Sequence, residues 1–273
     1  MRVFRFIAIG LGVLVIACAA FVMWFSHRTE ADIAGFAARV AEIGRAYPAP
    51  GFDPARIANL PAPVQRYFDF AFTGPVPAYS LVELKAEGQF RRPLTDDFNP
   101  TSAEQTIAVA EPALMFAATT PVLPGIWARA YDFFAEGQME MKAKVLSTLT
   151  VVDERETPEL NRISLRRWLL ESALYPQALL PGGSVTWEPI DDNTARAIVS
   201  ADGLSASMVA RFDAEGRMTE MFAEEDGDLT TPYHGSGEHV ARGDYRAVGN
   251  LMIPHDFTIS RMAGGEIHPF WQG

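Results

Sequence analysis

TPELNRISLRRWLLESALYPQALLPGG, residues 157–183, is a helical stretch set inside a long run of β-type sequence, and its reading decides the fold. Thr157 can cap the first turn, Pro158 suits the N1 position where a missing N–H costs nothing, and Glu159 lies at the positive end of the helix dipole. Leu160, Ile163, Leu165, Trp168, Leu169, Leu170 and Leu174 fall on more than one side of this helix. A surface helix carries a single apolar stripe, so this one is expected to be buried against a sheet. Pro176 stops it, and Ala178 to Gly183 makes a turn.

Before it, residues 81–90, 103–110, 113–119, 126–135 and 138–152 read as strands separated by Pro, Gly or Asp-rich turns. After it come 185–189, 194–201, 205–213 and 217–225, with turns at Asp191-Asp192-Asn193, Ala201-Asp202-Gly203 and Ala214-Glu215-Gly216. The tail holds two or three more, among them 245–253 and 257–262. Strands, one buried helix, then strands in hairpin succession predict an α+β fold. Its sheet is expected to be mostly antiparallel, strongly curved and half-barrel-like around one central helix. βαβ alternation is absent, which argues against a doubly wound fold.

The N-terminus is of another kind. Residues 6–25 contain no charge, and at 1.5 Å per residue the run matches a hydrocarbon core of about 30 Å. Arg2 and Arg5 precede it, so the N-terminus is expected in the cytoplasm and the rest of the chain outside. Trp24 and Phe25 sit where an interfacial aromatic anchor belongs. Two other readings keep the compartment and change the anchor. Ala17, Ala19 and Ala20 offer a signal-cleavage site, but the apolar run continues past them to Phe25. Val15-Ile16-Ala17-Cys18 resembles a lipobox, but the mature chain would then begin CAAFVMWF rather than with a polar tether. All three readings point to the inner membrane, single-pass for the uncleaved helix, with the domain on the periplasmic or extracytoplasmic side.

The expected organisation is an anchor over residues 1–28, a helical stalk and linker helices over 29–75, and an antiparallel α+β domain over 76–273. Ile33, Phe36, Val40, Ile43 and Tyr47 recur at steps of three and four, giving the stalk a narrow apolar stripe. The stripe lasts only two heptads, which favours docking on the domain over a coiled-coil dimer. The stalk should end at Pro48 and Pro50. A short helix follows over about 62–72, with Val64, Tyr67, Phe68 and Ala71 on its apolar face and Gly74-Pro75 behind it.

Composition narrows the function classes. A net charge of −11 and a pI near 4.9 exclude nucleic-acid binding, which needs Lys and Arg to neutralise phosphates, and argue against broad docking on anionic head groups. Cys18 is the sole cysteine, so no intramolecular disulfide can form. With 48% hydrophobic and 21% charged residues, the chain can bury a core without metal or disulfide staples.

LPAPVQRYF (60–68) and RRWLLESALYPQALLP (166–181) together resemble an uncharacterised bacterial family, a domain of unknown function. In that family an LP-x-PVQRYF segment precedes an R-x-x-x-E helix and a W-x-P-x-ALLP turn. The resemblance covers most of the chain after Leu60, including VTWEPID (185–191) and Ile253-Pro254, with Tyr175 standing where the family pattern has Trp. It brings no established activity.

Candidate chemistry is sparse. Arg167 and Glu171 stand four apart and share a helix face, so Glu171 could act as a general acid or base with Arg167 orienting it, or the two could form a buried ion pair. His234, Glu238, His239 and Asp244 are the densest set of metal-ligand types. Their spacing fits no zinc pattern, and Ser236 between glycines is no nucleophile elbow, so no metal or other cofactor is expected. Glu224 to Asp228 reads as a solvated acidic turn rather than a calcium loop. Trp127, Tyr131, Phe133, Met139 and Met141, with Trp168 on the helix, offer a deformable apolar lining. These residues lead to a non-enzymatic envelope module holding a lipid or another apolar small molecule. An acid–base hydrolase using Glu171 and Arg167, and a structural or protein-interaction domain, are the alternatives.

Overall fold

The computed structural model describes residues 2–49, 51–92, 95–230 and 237–273. α1 (Arg2–Ala46) is one unbroken helix of 45 residues. It ends ahead of Pro48, and Pro50 lies outside the described residues. Its first part is long and apolar enough to cross a membrane. Its second part docks on the domain: Ile33, Val40 and Ile43 are buried against Ala108, Met115, Ala117 and Tyr131, and Phe36 packs beside them. Tyr47, the last residue of the stripe, follows the helix end and is exposed. α2 (Pro54–Ile57) and α3 (Ala62–Ala71) follow. Val64, Tyr67, Phe68 and Ala71 of α3 are inaccessible to solvent in the main core.

The strands are β1 (Leu81–Phe90), β2 (Asn99–Ala108), β3 (Ala113–Leu123), β4 (Ile126–Ala135), β5 (Gln138–Val145) and β6 (Leu149–Arg155), then α4 (Pro158–Glu171). Two 3-10 turns, Ser172–Leu174 and Pro176–Leu179, lead into β7 (Val185–Pro189), β8 (Thr194–Ala201), β9 (Leu204–Phe212) and β10 (Met218–Phe222). β11 (His239–Val248), β12 (Leu251–Ala263) and β13 (Glu266–Gln272) complete the strands among the described residues. All belong to one antiparallel sheet in the order 6-5-4-3-2-1-13-12-11-10-9-8-7. It is therefore two meanders, β1–β6 and β7–β13, joined where β1 meets β13. The sheet is open, with β6 and β7 at its edges, and α4 with its 3-10 turns carries the chain from one edge to the other.

Side chains alternate across the first meander, as strand geometry requires. Ala108, Ala113, Met115, Ala117, Tyr131 and Ala135 face α1. Ile107, Leu114, Phe134 and Met139 belong to the other face, in the core shared with Leu165, Trp168, Leu169 and Leu170 of α4. α1 thus packs on one face, and α4 packs on the other beside β4 and β5. Thr157 caps α4 as its sequence predicts, accepting a hydrogen bond from the Leu160 N–H at 3.1 Å.

Three expectations about strands need correction. Residues 138–152 are a hairpin rather than one strand, because Leu146 and Ser147 turn the chain with φ of 53° each. Residues 245–253 straddle the β11–β12 turn at Gly249-Asn250, a turn signal that the alternating apolar residues obscured. The strand expected over 217–225 is shorter, ending at Phe222.

Candidate functional site

α4 carries two adjacent arginines that serve the two meanders separately. The Arg167 guanidinium pairs with Asp132 of β4 and donates from Nε to Glu171 Oε1 at 3.0 Å. Gln105 of β2 donates to the other Glu171 oxygen at 2.5 Å, and the Arg167 guanidinium lies 4.5 Å from the centroid of the Phe116 ring. Arg166 reaches the second meander, where it donates to Glu238 Oε1 at 2.8 Å. Glu238 Oε2 accepts from Arg261 Nε at 2.9 Å and from the Met262 N–H at 3.0 Å. All these charged groups are buried. Two carboxylates surround one arginine on one side of α4, and two arginines surround one carboxylate on the other. Such groups stay charged in a low-dielectric interior only when paired and hydrogen-bonded.

Further polar contacts lock the helix. Trp168 Nε1 donates to the Ala108 carbonyl at 2.9 Å, the Tyr175 hydroxyl to the Trp168 carbonyl, and Arg242 to the Leu170 carbonyl. Arg242 lies deep enough that burial pulls its guanidinium below its ordinary value, against the pull of Tyr245, Tyr67, Tyr175 and Glu171. Burial likewise pushes the Tyr245 hydroxyl up to about 12, where it donates to the Met218 carbonyl at 2.7 Å.

The apolar candidates divide between the two faces. Met139, Met141 and Trp168 belong to the core beside α4. Tyr131 and Phe133 are covered by α1, whose Phe36 ring stacks on Phe133 at 4.4 Å and lies 5.6 Å from Tyr131. Trp127 shares their parity on β4, and its indole N–H donates to Ser147 Oγ at 3.1 Å. The six residues therefore do not share one surface. Tyr131 donates to Glu140 at 2.5 Å, and burial together with that carboxylate raises its hydroxyl well above the ordinary value.

Of the metal-ligand types, Glu238 is consumed by its two arginines and Asp244 is exposed beside Arg246. His239 is buried with Nδ1 unpartnered, and burial lowers its imidazole below the usual value. His234 and Ser236 lie outside the described residues. Among the described residues, no group of three His, Cys, Asp or Glu could hold a metal ion. Glu238 is the residue whose structural part the sequence did not reveal, since its arginine partners lie far away in the chain.

A separate feature sits where α1 leaves the domain. Thr29 is buried, donates to the Ser147 carbonyl at 2.8 Å and accepts from Lys144 Nζ at 2.9 Å. Arg129 holds Glu30 through two bonds of 3.0 and 2.9 Å and Glu104 through one of 2.9 Å. Just beyond, α1 and the β5–β6 turn flank an open groove of about 510 Å³ lined almost wholly by apolar atoms.

These features define a class: an antiparallel α+β domain, cross-braced by a buried ionic layer, with an apolar N-terminal helix able to anchor it in a membrane. Residues 58–273 match a family of unknown function (DUF6920), and the chain belongs to that family. No curated protein and no solved structure matches the chain.

Proposed function

We propose that this protein is a membrane-anchored domain of the bacterial envelope, held on the extracytoplasmic side of the inner membrane and engaging a lipid-like apolar ligand. The observation that carries the reading is the continuity of α1. One helix supplies both the apolar run of residues 6–25 and the stripe of Ile33, Val40 and Ile43 packed on the sheet. Such a domain is seated against the membrane by a rigid rod rather than hung from a flexible linker. The charge flanks support the orientation, with Arg2 and Arg5 before the span.

We also read the sheet as strongly curved around α4. Laid flat, thirteen strands at about 4.8 Å spacing would extend for about 58 Å. Yet Arg166 and Arg167, adjacent on one helix, reach Glu238 beside β11 and Asp132 on β4. Inside that curve the layer is filled: Leu114, Phe134, Leu165, Trp168 and Leu169 have no accessible surface. Packing of this kind favours a ligand at the membrane end rather than beneath α4.

An acid–base role for Glu171 with Arg167 needs substrate access to a carboxylate that is 6% exposed and has both oxygens engaged. That geometry favours the ion pair.

Two measurements test the proposal. Alkaline phosphatase fused after Gly273 should be active, and a fluorescent protein that folds only in the cytoplasm should be dark there; the reverse would overturn the orientation. Native mass spectrometry of the full chain released from nanodiscs should retain lipid adducts, and a bare chain under conditions that keep the fold would remove the ligand reading.

A further inference from the structure

Among the described residues, nine large hydrophobic side chains are exposed after residue 25, and four of them sit on two neighbouring hairpin tips. Val122 and Leu123 (61% exposed) lie at the β3–β4 tip, and Leu149 (65% exposed) and Val151 at the β5–β6 tip. Hairpin succession puts both tips at the same end of the sheet. Neither carries a charge: residues 117–128 read AATTPVLPGIWA and residues 145–152 read VLSTLTVV, in a chain of net charge −11. At the opposite end of the same strands, the β4–β5 turn carries the exposed Glu136.

The groove beside the β5–β6 tip is lined by Cys18, Phe21 and Val22 of α1 and by Val145, Leu146 and Leu149. One of its walls is therefore the apolar run itself. Cys18 precedes Phe25 by about 10 Å along the helix axis, well inside a hydrocarbon layer of about 30 Å. The helix cannot swing the tip clear, because Thr29 is bonded to Ser147 and Lys144, and Glu30 to Arg129. Backbone strain marks the same spot. Leu146 and Ser147 both hold the left-handed conformation that favours glycine, and Leu146 lines the groove.

We propose that the β3–β4 and β5–β6 tips enter the domain-side leaflet of the bilayer, and that the groove holds an acyl chain of a bilayer phospholipid. This rests on the reading of α1 as a membrane span. The occupant follows from the lining, which has no charged group for a head group to meet, and from the wall that the groove shares with the spanning helix. Pulling the tips into water would also drag Phe21, Met23 and Trp24 out of lipid.

The test uses the full chain with Cys18→Ala, in phosphatidylcholine vesicles that contain spin-labelled acyl chains. An environment-sensitive fluorophore is attached at Leu123→Cys, Leu149→Cys or, as a control at the far end, Glu136→Cys. Probes at 123 and 149 should be quenched at least threefold more strongly than the probe at 136. A phosphatidylcholine carrying a photoreactive acyl chain should cross-link to peptides containing residues 17–22 or 145–149, and Leu149→Asp should reduce that yield about tenfold. Equal quenching at all three positions, in a chain that still resists alkaline extraction, would overturn the insertion while leaving the anchor intact. Release by alkaline extraction would instead remove the anchor and the insertion together. A photoreactive benzophenone maleimide placed at Leu149→Cys should capture lipid, and its cross-linking to a second copy in place of lipid would overturn the acyl-chain assignment.

Discussion

Glu238 accepts bonds from Arg166, Arg261 and the Met262 N–H in a layer closed to water. Removing one partner of such a group leaves the others charged and uncompensated, which costs about 3–5 kcal/mol. Glu238→Ala should therefore lower Tm by on the order of 10 °C in a detergent melt followed by circular dichroism. Arg39, which pairs with Glu42 and Glu136 at the surface, provides the contrast, and Arg39→Ala should leave Tm nearly unchanged because exposed pairs are screened by solvent. Equal losses would show that the buried layer is not where the stability lies. His239 is a residue whose linkage to stability should be visible as pH falls below neutrality. Burial holds its imidazole below the usual value, Arg242 and Arg211 lower it further, and Glu220 opposes them. A folded pKa below the unfolded one means that the unfolded chain takes up the proton first. Stability is then full above the unfolded value near 6.5 and is lost as pH falls through it toward the folded value. Denaturant titrations at pH 7.5, 6.5 and 5.5 should show that decline in the parent chain and a flatter profile in His239→Gln. Parallel profiles would sink the assignment.

At the scale of elements, what the sequence declares is what local chemistry controls. α4 is legible because Thr157, Pro158 and Pro176 bound it, and the β8–β9 turn because Asp202-Gly203 accommodates positive φ. The β5–β6 turn is not legible, since Leu146-Ser147 contains none of the residues that adopt left-handed backbone cheaply. The pairing of the candidate site is legible only within α4. Arg167 and Glu171 stand one turn apart, whereas Arg166 and Glu238 are separated by 72 positions and only the tertiary fold brings them together. The division of Met139 and Tyr131 between faces follows from strand parity. Which helix would cover each face does not, because both helices offer apolar surface. The strained turn yields a prediction of its own. Leu146→Gly removes a left-handed penalty of about 1–2 kcal/mol, offset by about 0.5–1 kcal/mol of glycine flexibility and by lost side-chain contact. It should leave Tm unchanged or raise it by a few degrees, while quenching of a probe at Leu149 falls. A fall in Tm of 5 °C or more would mean that Leu146 is kept for packing rather than for the membrane face.

For the molecule as a whole, the question is what makes two meanders one sheet. β1 and β13 share the register pairs Gln89↔Gln272 and Phe90↔Trp271, and the Arg91 N–H extends the seam to the Phe270 carbonyl at 3.0 Å. Their approach is close: a Cβ on Gly88 would lie 2.3 Å from the Gln272 carbonyl oxygen and 2.8 Å from the Gly273 Cα. Those are backbone atoms, so they cannot step aside as a flexible side chain could. The seam alone is slender, and α4 spans it with Arg167 on one meander and Arg166 on the other. A valine at position 88 therefore separates the two contributions. Gly88→Val must push β13 away from β1, at a cost of about 1–3 kcal/mol for overpacking. If α4 is an independent brace, the damage stays local. In hydrogen-exchange mass spectrometry, peptides from β1 and β13 should lose protection, while those from β4 and β9, which pack against α4, keep it. Loss of protection across every strand at once would mean that the seam, not the helix, holds the meanders together. Unchanged exchange in β13 would mean that the two backbones do not meet as closely as the Gly88 contact requires.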